Sequence, residues 1–418
     1  MNFFNILAGS VKMPEGGNFL GDIILGLLKG VYGLVGDYGV AILLFTLVLR
    51  LIMFPLDFGN KYFTKKNAQK SAEYKPEIDK IAKQYPNDMM ARNRAQQEVY
   101  RKHGHKQGGF CFFMIINLVV TMAVFLTVFG CLRDTSNFNI NRQFVELQAV
   151  HAEYDVGGSK ETLGLESEEF KKEINNVYND TTIPFLWVKN IWRPDNWASQ
   201  TMSWSEFKSA VSSVKGNVFE SLPKSYFDPE DTAFEGMSDK QLKEEREAAR
   251  AVYENDLKAQ YAAIFDPIKT KHTGWNGYLI LVLLAGATMY FSAVINANVM
   301  KKKADEKKAD EPVVQYSMRN AKEEVDGAAM PQVNPAMMGN VMKIVLPLIM
   351  VVFTLTQTAA LALYIAFGAL VSIGLTFISN AVIDKILAKQ EKKKNPFNKD
   401  EVVINPHTKY FKKNQGKR

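Results

Sequence analysis

Four apolar runs, at 38–56, 110–132, 275–297 and 344–383, alternate with strongly charged stretches along a chain of 418 residues. About 20 apolar residues make a helix that crosses the roughly 30 Å hydrocarbon layer of a membrane. Lipid offers backbone groups no hydrogen-bond partner, so such runs must be helical there. This segregation excludes a single soluble core. The last run is too long for one crossing, since residues 344–378 alone would form a helix of roughly 50 Å at about 1.5 Å per residue. Its one polar cluster, Thr354-Leu355-Thr356-Gln357-Thr358, marks the turn. The expected architecture is an all-α polytopic membrane protein with five transmembrane helices, at 38–58, 110–132, 275–298, 336–357 and 359–384. Lys343 lies near enough to the end of the fourth helix to snorkel to the interface.

Charge orients this bundle. Segment 59–109 holds 12 Lys/Arg against 5 Asp/Glu, and the tail 385–418 holds 11 against 3. The long loop 132–274 holds 17 against 24. Basic flanks stay cytoplasmic. The segment 59–109, the loop 299–335 with Lys301-Lys302-Lys303, and the tail are therefore expected inside. The loop 133–274 and the N-terminal segment 1–37 are expected outside. Five spans satisfy both demands. Met1 to Gly9 has no basic start and a short apolar stretch, so a signal peptide is not expected.

The soluble segments read as helical. Residues 19–36 are apolar but carry Asp22 and Lys29, which suits a helix lying in the outer interface better than an extra span. In 59–109, Pro86-Asn87-Asp88 separates two charged helical arms, with Ile78, Ile81 and Tyr85 striping the first and Ala95 and Val99 the second. This is a cytoplasmic helical hairpin. Within 133–274, the stretches 165–178, 203–222 and 238–264 have helical composition, and Ser238 is a plausible N-cap. They imply a helical extracytoplasmic domain. The aromatics Phe185, Trp187, Trp192 and Trp197 precede a span, where such side chains anchor at the interface. The tail, with Pro396 and Pro406, reads as disordered in isolation. Cys111 and Cys131 on one expected helix would stand roughly 30 Å apart, which excludes a disulfide between them.

Arg50 interrupts the first span, in LLFTLVLRLIMFPL. A cation near the bilayer centre costs about 2.5–3.5 kcal/mol on insertion scales. Snorkelling offers one escape, because the cytoplasmic end lies roughly 9 Å away at about 1.5 Å per residue. No span carries Asp or Glu in its central stretch, so Arg50 has no carboxylate to pair with in the bilayer; Asp57 and Asp384 sit at helix ends. Membrane-buried ions pair or face water. Arg50 is therefore expected to face a polar groove open to the cytoplasm. Thr46, Asn117, Thr121, Ser372, Thr376 and Ser379 are spaced to line it, although each taken singly suits helix packing as well. An unpaired cation in a cavity suits an anionic guest: a small anion, or the acidic part of a polypeptide.

Several segments together resemble the YidC/Oxa/Alb membrane-protein insertase family. They are Tyr38-Gly39-Val40-Ala41-Ile42, then Leu49-Arg50-Leu51 with Pro55, Lys75-Pro76-Glu77-Ile78, Val99-Tyr100-Arg101-Lys102-His103-Gly104, Gly108-Gly109, Phe185-Leu186-Trp187 with Pro194-Asp195, and Leu361-Ala362-Leu363-Tyr364. The resemblance covers about 38–131 and 275–385. It implies a bacterial inner-membrane protein with its N-terminus outside and C-terminus in the cytoplasm. It implies a groove whose arginine maps onto Arg50 and which receives the polar segment of a nascent membrane protein. It further implies a hairpin that recruits substrate, a basic tail that contacts ribosomes, and the Sec translocon as a partner. Phe112 and Phe113 stand where the family has Leu-Pro, Asn117 where it has glutamine, and Thr358-Ala359-Ala360 where it has Pro-Ala-Gly. Residues 198–274 are an insertion. These departures mark a divergent member.

The leading reading is thus an insertase that works without nucleotide hydrolysis, since no phosphate-binding loop occurs. Lys392, Lys393, Lys394, Lys412 and Lys413 would meet ribosomal RNA or anionic lipid. The alternative is a small-anion transporter or channel, against which stands the absence of an internal repeat. An enzyme is not expected: no catalytic residues, metal ligands or cofactor motif are found. His103 and His105, in a basic turn, read as solvated.

Overall fold

The computed structural model describes residues 17–86, 88–103, 107–212, 238–306 and 335–394. Among them the fold is helical, without a named strand. In chain order, α1 is Phe19–Val35, α2 Tyr38–Gln84, α3 Met89–Lys102 and α4 Gln107–Tyr154. Then come α5 Glu168–Thr181, α6 Trp204–Ser212, α7 Asp239–Lys271, α8 Ile280–Glu306, α9 Pro335–Thr356 and α10 Ala359–Lys394. Polar side chains start several of them. Asn18, Asp88 and Ser167 accept from backbone N–H groups three residues on, at 2.8, 2.9 and 3.2 Å. At Ser238, the expected N-cap, Gln241 accepts from the backbone N–H in return.

Among the described residues, three helical segments are long and apolar enough to cross a membrane: Tyr38–Lys70, Ile115–Tyr154 and Ala359–Gln390. Shorter apolar stretches occupy Ile280–Ile295 and Pro347–Thr356. The turn expected within 354–358 falls at Gln357-Thr358, between α9 and α10.

The helices run well past the expected limits of the spans. The helix beginning at Tyr38 does not stop near 58 but continues to Gln84, with Pro55 and Pro76 inside it. The one expected over 110–132 starts at Gln107 and reaches Tyr154, 48 residues in all. Conversely, residues 275–279 are not helical, and α8 begins at Ile280. The chain beyond 385 is helical as far as Lys394, not disordered from its start. Of the helix expected over 203–222, Trp204–Ser212 is seen, and the remainder lies outside the described residues.

The chain divides into two compact units. The first, Met1–Phe54 with Ile115–Ile373, contains two apolar cores. One gathers Ile24 and Leu28 of α1, Ile42, Phe45 and Leu49 of α2, Val128 and Leu132 of α4, Leu281 and Ala285 of α8, and the start of α10. The other joins the far end of α4 to α5, α6 and α7. Among the described residues it is a small four-helix domain, in which Ile140, Phe144, Leu147 and Tyr154 interlock with Phe170, Ile174, Phe207, Leu257, Tyr261 and Phe265. The spacing of three and four along α4 puts its apolar residues on one face. The α7 half of the 198–274 insertion supplies a wall of this core, so it is built into the domain and is not an appendage.

The second unit, Pro55–Met114 with Gly374–Arg418, holds the helical hairpin. Its arms meet where Tyr74 packs edge-on against Tyr100, ring centres 5.5 Å apart, and where Glu77 pairs with Lys102 and His103. Lys65 pairs with Asp384 at 3.1 Å, and the Lys61 ammonium donates to the Thr376 hydroxyl at 2.6 Å.

Phe144 and Phe207 are 1% and 0% exposed, with ring centres 4.5 Å apart. Phe144→Ala should destabilise the four-helix domain by about 3–5 kcal/mol. Limited proteolysis of the full chain in detergent, across a urea series, reads this as cleavage within 133–274 at lower denaturant. Unchanged cleavage would mean that this core does not hold the domain together.

Candidate functional site: an arginine on an apolar helix and a strap that caps three helix ends

α2 presents Ala41, Ile42, Phe45 and Leu49 to the core, and this burial sets the rotation of the helix. The same rotation carries Thr46 fully inside and leaves Arg50 half-buried. The Thr46 hydroxyl donates to the Ile42 carbonyl at 2.6 Å, so its one donor is spent within its own helix. Among the described residues, Arg50 has no ion pair with a carboxylate, and its Nε is buried without a hydrogen-bond partner. The neighbour of its guanidinium is Gly368 on α10. A methyl group built there would stand 3.0 Å from Nη2, 3.2 Å from Nε and 3.4 Å from Thr46 Cγ2. One turn further, Ser372 Oγ donates to the Gly368 carbonyl at 2.8 Å.

Arg50, Thr46 and Ser372 therefore gather around Gly368. Asn117 and Thr121 stand on α4, Asn117 with a buried, unpartnered Oδ1 and Thr121 exposed. No hydrogen bond among the described residues links either to Arg50. Thr376 belongs to the second unit, where it is buried and accepts from Lys61. Ser379 is also buried, its hydroxyl bonded to the Leu375 carbonyl. The side chains of Lys392, Lys393 and Lys394, and residues Lys412 and Lys413, lie outside the described residues. So does His105; His103 bonds Glu77 at 3.1 Å, and this holds the Glu77 carboxyl below the ordinary range. Among the described residues no three His, Cys, Asp or Glu side chains gather as a metal site.

Sequence reasoning read the segment 183–199 as an interfacial anchor and a family motif, and missed that it closes helix ends. It is an irregular strap, yet Ile191, Trp192, Arg193 and Asp195 are all buried. Its backbone carbonyls meet the start of α10, where Ala359 N–H donates to Arg193 O at 2.8 Å and Ala360 N–H to Ile191 O at 3.0 Å. The Asp195 carboxylate meets the start of α8, accepting from Tyr278 N–H at 2.8 Å and Leu281 N–H at 2.7 Å. Asn196 reaches the end of α9, donating to Leu355 O at 3.3 Å. A Cβ at Gly277 would stand 1.9 Å from Asp195 Oδ1, so only glycine allows this approach. The aromatic patch divides accordingly. Trp192 is 2% exposed and packs edge-on to Tyr38, whereas Trp197 is 58% exposed. Only the latter suits an interfacial anchor.

Arg193 ties the strap to the four-helix domain. It is buried and bonds both carboxylate oxygens of Glu206 at 2.8 and 2.9 Å. Burial alone would raise the Glu206 carboxyl, but Arg193 and the Ser203 donors outweigh it and hold it below the ordinary carboxylate range. In the same domain, burial pushes the His151 and His272 imidazoles below their usual value.

The family described as the 60Kd inner membrane protein matches residues 30–386. A Membrane protein insertase YidC of Thermosynechococcus vestitus is 31% identical over 134 residues, which are 32% of this chain and 33% of that protein. One of Geobacter sulfurreducens is 31% identical over 102 residues, 24% of this chain and 18% of that protein. One of Magnetococcus marinus is 30% identical over 112 residues, 27% and 19% of the two chains. The matched stretches span a third or less of these relatives' length.

The depressed groups set a pH dependence. A His held below its unfolded value, near 6.5, withdraws stability as pH falls beneath that value. Glu206, held low, keeps its contribution above the unfolded carboxylate value, near 4.3, and loses it as pH falls through its own lower value. Thermal unfolding of the full chain in detergent should therefore show two losses on acidification, and Glu206→Gln should reduce the lower one, to which Glu77 and Glu173, also held low, contribute as well. A wild-type profile that stays flat down to about pH 5 would contradict the neutral buried histidines.

Proposed function

The chain belongs to the YidC/Oxa family, whose 60Kd inner membrane protein model matches residues 30–386, and from that membership we propose that it is a membrane protein insertase. Its substrates are nascent membrane proteins. It sits in the inner membrane of a bacterium with five spans, the N-terminus outside and the C-terminus in the cytoplasm. The helical hairpin receives the substrate, the basic tail meets the ribosome or anionic lipid, and the Sec translocon is a partner for part of the substrate range. The polar part of the substrate enters a groove at Arg50, flanked by Thr46 and Ser372 and lined further by Asn117 and Thr121. The apolar part passes into lipid.

The observation that carries this reading is Arg50, on an apolar helix, with a buried Nε and no ion-pair partner among the described residues. Its insertion costs about 2.5–3.5 kcal/mol. A cation kept at that cost without an internal partner is suited to a partner that arrives with the substrate. Substrate insertion is driven by transfer of apolar side chains into lipid, worth about 0.3–0.6 kcal/mol for each large one at a helix centre. No nucleotide is needed, and the protein only lowers the barrier for the polar segment.

Two measurements test the reading. In a background lacking Cys111 and Cys131, Val156→Cys and Lys389→Cys, both at exposed positions, should label from opposite sides of intact cells. Labelling of both from outside would exclude the five-span orientation. For the mechanism, two short membrane proteins differing only in Asp or Asn in the translocated segment are inserted into liposomes containing only this protein. Arg50→Ala should reduce protease-protected Asp substrate and spare the Asn substrate, while Arg50→Lys keeps part of the activity because a point charge survives. Equal loss for both substrates would rule out charge capture.

A further inference from the structure

Gly368 creates an arrangement in which a cation lies against a helix without an acceptor for its buried Nε among the described residues. Its carbonyl takes the helical N–H of residue 372 and also the Ser372 hydroxyl, at 2.8 Å. Both of its lone pairs are thereby occupied. Thr46, the other neighbour, turns its methyl group toward the same spot and has donated its hydroxyl hydrogen to Ile42. The guanidinium approaches α10 to within 3.0–3.2 Å of where a side chain would begin. At that distance even a methyl group would push it.

We propose that Gly368 is the positioning residue for Arg50. By lacking a side chain, and with its carbonyl already taken by Ser372, it seats the guanidinium against bare backbone with Nε buried. The remaining N–H donors stay unclaimed for an acidic segment of the inserted chain. This rests on the insertion reading for its consequence, but not for its geometry. Thr46 presents its methyl group rather than its hydroxyl oxygen at this spot, and among the described residues neither the Thr46 nor the Ser372 hydroxyl bonds the guanidinium. A side chain at 368 displaces the guanidinium, and the preference for Asp over Asn substrates falls with it.

The geometry is tested by the reaction of Arg50 with phenylglyoxal in membranes carrying the full chain, followed by mass spectrometry of its peptide. Gly368→Val should raise the reactivity of Arg50 several-fold, and Gly368→Ala less. Gly374→Ala, whose Cβ would meet nothing within 4 Å, should leave it unchanged. The consequence is tested with the Asp/Asn substrate pair. Gly368→Val should abolish the difference that wild type shows, and should add no further loss of Asp substrate in an Arg50→Ala background, as expected of a residue acting through Arg50. Unchanged reactivity of Arg50 in Gly368→Val overturns the seat. Raised reactivity with the substrate preference intact overturns the positioning role, as does an additive loss in the double variant. If wild type itself shows no preference, charge capture fails, while the phenylglyoxal result still decides the seat.

Discussion

A helix that ends in or beside an apolar layer leaves up to four N–H or four C=O groups without partners in its own backbone. Where water is scarce, each unsatisfied group costs several kcal/mol. Three helix ends in the first unit, the starts of α8 and α10 and the end of α9, are met by one irregular segment, the strap 183–199. Asp195 adds a negative charge at a helix start, where the helix dipole favours it. The strap's own backbone is closed by the turn between Phe185 and Val188 and by Asn276, whose side chain bonds residues 190 and 194. The relative placement of α8, α9 and α10, and through α10 that of Gly368, depends on these bonds.

The same strap connects the bundle to the four-helix domain, through the buried Arg193 and the part-exposed Glu206. Only the Arg193 side of this pair is buried, so loss of Glu206 would leave a buried guanidinium without its carboxylate. A second connection is α4, which passes from the bundle core at Val128 and Leu132 to the domain core at Ile140 and Phe144 without a break. Buried polar side chains accompany that passage: Ser136 donates to Trp192 O, and Asn141 to Ala210 O. The domain is thus continuous with the bundle on two independent paths.

Against this well-satisfied scaffold, the exceptions stand out. Arg50 Nε and Asn117 Oδ1 are buried without partners in the bundle, as are Trp192 Nε1 in the strap and His151 Nε2, Asn175 Oδ1 and His272 Nε2 in the helical domain. Buried polar groups are nearly always bonded, and those that are not call for an explanation. The groove proposed above would supply one for Arg50.

Much of this was legible in the amino-acid order. Apolar runs of bilayer length, the break at Gln357-Thr358, the hairpin turn near Pro86 and the isolation of Arg50 all follow from local hydropathy and charge, which act within one helix. The extension of α4 to Tyr154 had a readable signal too, in the spacing of Ile140, Phe144, Leu147 and Tyr154, but its Asn- and Thr-rich start resembles a loop. Other features depend on residues far apart. Nothing local distinguishes Trp192, buried under Tyr38, from Trp197, exposed a few residues later. Nothing local marks Asp195 as the cap of a helix that starts at Ile280, or Gly368 as the seat of a side chain more than 300 residues earlier. The sequence by itself determined which segments are apolar enough to leave water and which cation would lack a partner among them, because transfer energies belong to individual side chains. Only the tertiary structure decided which backbone groups close each helix end and which neighbour the cation meets, because those depend on distances between chains of atoms that the linear order does not contain.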